Sequence, residues 1–282
     1  MRKRTTLALL GAVIAAVLVV GATTGCGSKK KNGKPQISIQ IFPADTNAAA
    51  ALLAGKVDAY FADATPVLYY IKKSGDKFQV AGKQIAAAPE GIATRKGDPL
   101  GPKFKQAIAT LYANGEMQKI LARWGLSQFA LSNPGTATGN GSPGTSSGTV
   151  TFCSDTTYPP MESIVSGKAT GADVDIANAI AKLWGEKAAI NTTGFDVLIP
   201  ALMAKKCDAV ISAMTDNAAR AKTVDFADYV TVGMLLMVKN GNPSHISDLA
   251  SLSGKTVAVE AATTEKDALD AENKILAKSV NK

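Results

Sequence analysis

The sequence predicts an α/β fold, on three observations. Short apolar runs suited to strands alternate with amphipathic, helix-like stretches from about residue 36 to residue 278, and such alternation builds largely parallel sheets covered by helices on both faces. Of the 282 residues, 46% are apolar and 19% charged, the balance of a globular chain with a sizeable core. One stretch breaks the alternation: residues 132–149, "SNPGTATGNGSPGTSSGT", contain little but small and polar residues and read as a flexible linker.

The chain opens on "MRKRTTLALLGAVIAAVLVVGATTGC", a basic cluster followed by an apolar run and small residues. This is an export signal over residues 1–25 and is set aside from the fold. "TTGC" resembles a bacterial lipobox, which implies lipidation of Cys26, although Thr23 stands where such motifs prefer leucine. An uncleaved anchor and a plain secreted protein are the alternatives, and all three place the rest outside the cytoplasm. The whole chain carries +8; loss of Arg2, Lys3 and Arg4 with the leader removes three positive charges and leaves +5. Residues 26–33 then form a basic tether, in which Lys29, Lys30 and Lys31, with Lys34 just beyond, face anionic headgroups. A nucleic-acid partner is not expected, because no aromatic residues interleave with these lysines.

From residue 36 the elements read in order: strand "QISIQIF", helix "TNAAAALLAGK", strand "VDAYFAD", helix "ATPVLYYIKKSG", short strand "FQVAG", then "GIATRKGD". Two helices follow. In "LGPKFKQAIATLYANG" the residues Phe104, Ile108, Leu111 and Tyr112 recur every three or four positions and make one apolar face; Ile120, Leu121 and Trp124 do so in "EMQKILARWG", which Gly125 ends. After the linker come strand "TVTFCSD", helix "ADVDIANAIAKLWGE", helix "DVLIPALMAKK", strand "DAVISA", the segment "VDFADYV" and strand "GMLLMVKNG". A turn capped by Ser247, strand "KTVAVEAA" and helix "TEKDALDAENKILAK" complete the pattern.

Little here points to catalysis. "SGKT" at 253–256 lacks the earlier glycine of a phosphate loop, since position 249 is leucine, and reads as a turn into a strand. His245 is the single histidine, read as a solvated loop residue, so no histidine-rich metal site is expected, and no cofactor. No nucleophile elbow stands out. Cys153 and Cys207 each lie at a strand; in an exported chain they either form a disulfide or remain buried thiols.

The stretches "CSDTTYPPMESIVSGKATGADVDIANAIAKLWG", "FDVLIPALMAKKCDAVISAMTDNAARAKTVDFADYV" and "GKTVAVEAATTE" resemble the first half of the polar amino-acid-binding proteins of ABC transporters, the periplasmic-binding-protein type II family 3. "FPADTNAAAALLAGKVDAYFADATPVLYYI" and "GIATRKGDPLGPKFKQAIATLYANGEMQKILARWGL" resemble that family's second half, yet come earlier in the chain. Joining Lys282 to Asn32 reads through without a seam. The resemblance therefore implies a two-lobed type II fold, circularly permuted, with ligand in the interlobe cleft. It assigns residues 34–90 and 237–282 to lobe II, 91–132 and 149–236 to lobe I, and 133–148 to a linker joining the family's natural ends. A linker of about 16 residues spans roughly 20 to 24 Å, enough for two ends on one lobe. The crossings between lobes are expected near "APEGIA" and "LLMVKN".

The same resemblance implies a ligand site. Arg220 would grip an α-carboxylate through its two-pronged guanidinium, beside the hydroxyl of Thr215, while the backbone carbonyl of Ala213 receives the ammonium. From lobe II, Thr264 donates at a helix start and Asp63 pairs with the ammonium; as an alternative, Asp63 is a helix cap. Tyr158 and Phe195 would sandwich the ligand's stem, or else belong to the core, and Asp155 would reach its far end. Ala262 stands where the family has glycine, at a turn glycine makes easily, and Ala172 replaces a phenylalanine.

The implied function is extracytoplasmic binding of a free amino acid by a monomer, with arginine, lysine or ornithine favoured over glutamine or histidine. The amino acid passes to an ABC permease, and the protein is held to the membrane by its lipid. A permuted sensory or engineered binding module, and a periplasmic dehydratase on the same fold, are the alternatives; an enzyme is not expected.

Overall fold

The computed structural model describes residues 35–75, 77–137, 144–145 and 147–279. The leader 1–25, Cys26 and the basic tether 26–33 lie outside the described residues, as does part of the linker.

Strands and helices do alternate. Lobe II opens with β1 (Ser38–Phe42), α1 (Asp45–Leu53), β2 (Ala59–Asp63) and α2 (Ala64–Ser74), and closes with β11 (Thr256–Glu260) and α7 (Thr264–Lys278). Lobe I holds α3 (Leu100–Ala113), α4 (Glu116–Trp124), β4 (Thr149–Ser154), the short ribbon β5 (Thr157–Tyr158), β6 (Glu162–Val165) and β7 (Lys168–Thr170), then α5 (Ala172–Leu183), β8 (Lys187–Thr192), α6 (Leu198–Met203) and β9 (Ala209–Val210). Two long antiparallel strands, β3 (Phe78–Arg95) and β10 (Val224–Lys239), run through both lobes. The strand order is β1-β11-β2-β10-β3-β9-β4-β8. In lobe II, β1 and β2 flank β11 in parallel. In lobe I, β8 and β9 flank β4, also in parallel.

The crossing lies where the register of β3 and β10 slips. Glu90, Pro89 and Ala88 face Val230, Thr231 and Val232, and pairing shifts on either side. "APEGIA" lies in β3 at this slip, opposite residues 226–232 of β10, and "LLMVKN" follows at the end of that strand. Met234 to Met237 pair with β2 on the other side. Gly91 makes the tight approach possible: a Cβ there would lie 2.7 Å from Asp228 Oδ1 and 3.1 Å from the Ala227 carbonyl carbon. A side chain would push the two crossing strands apart.

The helix faces read from spacing are the buried ones. Phe104, Ile108, Leu111 and Tyr112 of α3 and Ile120 and Leu121 of α4 pack into the core under lobe I, each contributing on the order of 1.5–3 kcal/mol by leaving water. Trp124 is half-buried, and its indole N–H donates to Asp175; Gly125 ends α4 in the left-handed region at φ 75°. Ala172 is fully buried at the start of α5. The turn after β10 is capped by Asp248 rather than Ser247: Asp248 Oδ1 accepts the Ser251 N–H at 2.8 Å, whereas Ser247 contributes its own N–H to Ser251 Oγ. "SGKT" is a turn into β11, and His245 is an exposed loop residue.

Both described ends of the linker rest on lobe I. Residues 132–136 lie beside α3, while Lys103 donates to the Gly144 carbonyl and Thr145 is held by Glu186. Cys153 and Cys207 form a disulfide that joins β4 to the turn before β9.

Candidate functional site

The crossing strands place the ends of β2, β4, β9 and β11 against each other, and the residues singled out by resemblance converge there. Asp63, Tyr158, Phe195, Ala213, Thr215, Arg220 and Thr264 surround one small cavity with Glu260, Thr263 and Glu265. Asp155 sits just behind it, with its Oδ2 accepting the Phe195 N–H at 2.8 Å and its Oδ1 the Thr157 N–H at 3.0 Å.

The cleft is shut by contacts from lobe to lobe. Tyr158 donates its hydroxyl to Asp63 Oδ2 at 2.8 Å. Asp63 ends β2 and precedes α2, yet its side chain makes no cap hydrogen bond; it turns into the cleft instead. Arg220, in a short 3₁₀ turn, donates to the Thr215 carbonyl at 3.0 Å and across the cleft to the Ala262 carbonyl at 3.2 Å. Its guanidinium lies 5.3 Å from the centre of the Phe195 ring, a cation–π contact that fixes the plane of the fork. The Thr215 and Thr264 hydroxyls meet at 3.5 Å. The space left is about 10 Å³, at most the volume of one water. A ligand of amino-acid size must therefore open the cleft and take over these interlobe contacts.

Backbone strain shapes both rims. Ala213 sits at φ 42° and Ala262 at φ 61°, in the left-handed region that favours glycine. Ala213 is held there by its N–H, which donates to Asp173 Oδ2 at 2.8 Å and to the Tyr229 hydroxyl at 3.2 Å. Ala262 takes the turn expected of glycine, between Glu260 and the Thr263 cap of α7.

Electrostatics separates the site from other hollows. Arg220 is the single base on the cavity wall, against Asp63, Glu260 and Glu265. Burial pushes the Asp63 carboxyl up, while Glu265, Tyr158 and Arg220 pull it back. Burial also lifts Glu265 and Glu90 well above the ordinary range, and the charge of Asp63 adds to both shifts. Burial lowers Arg220, opposed by Glu265 and Asp63. By contrast, a cavity of about 510 Å³ between α2 and α4 has lysines, Arg123 and aromatic rings on its wall but no carboxylate to pair with an ammonium.

Sequence reasoning missed Glu90, Glu260 and Glu265. Two of them flank the site threonines in "EAATTE", and that doubled acid beside a ligand threonine was the available signal. It also missed Asp173 and Glu162, which act from behind: Ser212 donates to Glu162 at 2.6 Å and accepts the Asp155 N–H at 2.9 Å. Burial raises the Asp173 carboxyl to about 6 and Glu162 well above its ordinary range.

Side chains from both halves of the fold meet in one charged cleft, whose donors and acceptors suit a small zwitterion. Residues 150–282 match the sequence model of the bacterial extracellular solute-binding proteins, family 3. The chain is 35% identical over 142 residues to the arginine-binding extracellular protein ArtP of Bacillus subtilis, covering 49% of this chain and 53% of that protein. The Lysine/arginine/ornithine-binding periplasmic protein of Escherichia coli K12 is 36% identical over 121 residues, 42% of this chain and 46% of that protein. Among solved structures, an ancestral arginine-binding protein bound to arginine is 34% identical over 46% of this chain and 58% of that one, with a TM-score of 0.40. The chain spans about half the length of the curated relatives it matches. The family and these relatives are extracytoplasmic binding proteins.

Proposed function

We propose that the protein binds a free basic amino acid outside the cytoplasm and delivers it to an ABC importer by cleft closure, without turnover. The observation that carries this is the facing of Arg220 and Asp63 across a closed cleft. Arg220 takes the α-carboxylate with Thr215 and Thr264, Asp63 and the Ala213 carbonyl take the α-ammonium, and Tyr158 and Phe195 flank the stem. Because lobe II gains its partners only on closure, ligand favours the closed state by differential contact. A neutral-side-chain zwitterion adds one charge of each sign and leaves the acidic wall unbalanced; a basic amino acid adds a second cation. Arginine, lysine and ornithine are therefore preferred, toward Asp155.

The permuted order belongs to the same reading. β1 pairs with β11 in parallel as a neighbouring β/α unit would, and both described ends of the linker rest on one lobe. Residues 34–90 and 237–282 then make lobe II, 91–132 and 149–236 make lobe I, and Cys26 carries the lipid. Thermal-shift screening of the twenty amino acids plus ornithine and citrulline tests the function. Basic amino acids should raise Tm most; no shift with any of them, or turnover of a prephenate-like substrate, would refute it.

A further inference from the structure

Buried carboxyls beside the cleft include Glu260 and Asp45, which the contacts assigned above leave unexplained. Glu260 ends β11, is 3% exposed, borders the cleft cavity and has an Oε1 without a hydrogen-bond partner. Asp45, the first residue of α1, is 1% exposed. Its Oδ1 accepts the Tyr60 hydroxyl at 2.5 Å, and its Oδ2 has no partner. Asp155 approaches from lobe I, its orientation fixed by the two backbone N–H groups of Thr157 and Phe195; each oxygen keeps a further lone pair.

Resting on the amino-acid reading, we infer that Glu260, backed by Asp45 and faced by Asp155, is the specificity-determining residue that receives a cationic group at the end of the ligand's side chain. Buried carboxyls without a cation are costly, and here they draw no lysine or arginine: the hydrogen bonds of Asp45 and Asp155 come from a tyrosine and from backbone N–H groups. Burial raises Asp45 to about 8, helped by the charges of Asp155 and Asp63, and Glu260 to about 10, helped by those of Asp45 and Asp155. Raised carboxyls of this kind hold protons that a guanidinium or ammonium could replace. A metal ion is the other cation that could sit there, but no group of three or more acidic, histidine or cysteine residues among the described residues is arranged to hold one. The carboxyls meet from both lobes, so a side-chain cation between them ties Asp155 on lobe I to Glu260 and Asp45 on lobe II and adds to closure.

L-arginine and L-citrulline share shape and differ in charge, which makes their affinity ratio the measurement. In the full chain, calorimetry on Glu260→Gln should show arginine binding weakened on the order of 10- to 100-fold, the value of a charge-assisted hydrogen bond, with citrulline changed by less than about threefold. The same variant should match or exceed the parent's ligand-free Tm, since glutamine removes a buried acid with an unpartnered oxygen. Asp45→Asn should lower the arginine-to-citrulline ratio by a smaller factor, and decides the matter if Glu260→Gln does not fold. Binding with an unaltered ratio in the folded variants overturns the role of Glu260 and its neighbour alone. A parent chain that binds no amino acid overturns the reading on which the inference rests.

Discussion

Replacing Arg220 with alanine is the sharpest test of the proposed ligand geometry. In the closed cleft the guanidinium spends its donors on the Thr215 and Ala262 carbonyls and stacks on Phe195; with ligand bound, the fork turns to the α-carboxylate. Two charge-assisted hydrogen bonds are each worth about 1.5–3 kcal/mol. Desolvating the ion pair and ordering the ligand offset part of that, while the carboxylate left buried without its partner adds to the loss. The net expectation is about 2–5 kcal/mol, a weakening of roughly 30- to 5000-fold. The variant also removes the single base on the cavity wall, so Asp63 and Glu265 lose the charge that opposes their protonation, and the ammonium contact should weaken with the carboxylate contact. Isothermal titration with arginine, lysine and ornithine reads the effect, and far-UV circular dichroism checks that the variant folds. A folded variant whose affinity for all three stays within threefold of the parent would show that the carboxylate is held elsewhere.

Ligand-free stability should fall as pH rises. Asp173, Asp45 and Glu260 are lifted to about 6, 8 and 10, above their unfolded values near 4, so their contribution is complete below about pH 4 and is lost as each deprotonates in turn. Tm should decline between pH 5 and pH 9, and less steeply with saturating arginine; a Tm that rises across that interval would contradict the assignment. Ala262→Gly relieves a left-handed alanine at φ 61° and should raise ligand-free stability by about 1 kcal/mol, measured by denaturant midpoint at unchanged m-value; no gain would mean the turn is unstrained.

What the sequence disclosed follows from where periodicity survives. The faces of α3 and α4 show plainly in Phe104, Ile108, Leu111, Ile120 and Leu121, because one side of each helix meets the core and the other meets water. β3 reads as a short strand and a separate segment because Gly82, Ala86 and Pro89 interrupt it, yet β10 holds all 18 residues in one strand. β8, "KAAINT", pairs with one neighbour only, at the sheet edge, and its burial does not alternate. The ribbon of β5 to β7 is too short to carry a pattern at all. Within the site, Arg220, Asp63, Tyr158 and Thr264 were legible through family resemblance. Glu90, Glu260 and Glu265 were not, because an acid in a sequence reads as a solvated or capping residue, and only the fold shows that these three are buried.

The pairing of β1 with β11 carries a consequence for how the molecule is assembled. Ser253 Oγ reaches the Pro35 carbonyl across 218 positions of chain, and β1 has no other strand beside it. β4, β8 and β9 lie close in sequence and can pair early, whereas β1 stays unpaired until β11, far along the chain, is available. Such long-range closure is entropically slow. β1 is therefore the strand whose inner edge is covered last, once β11 is in place.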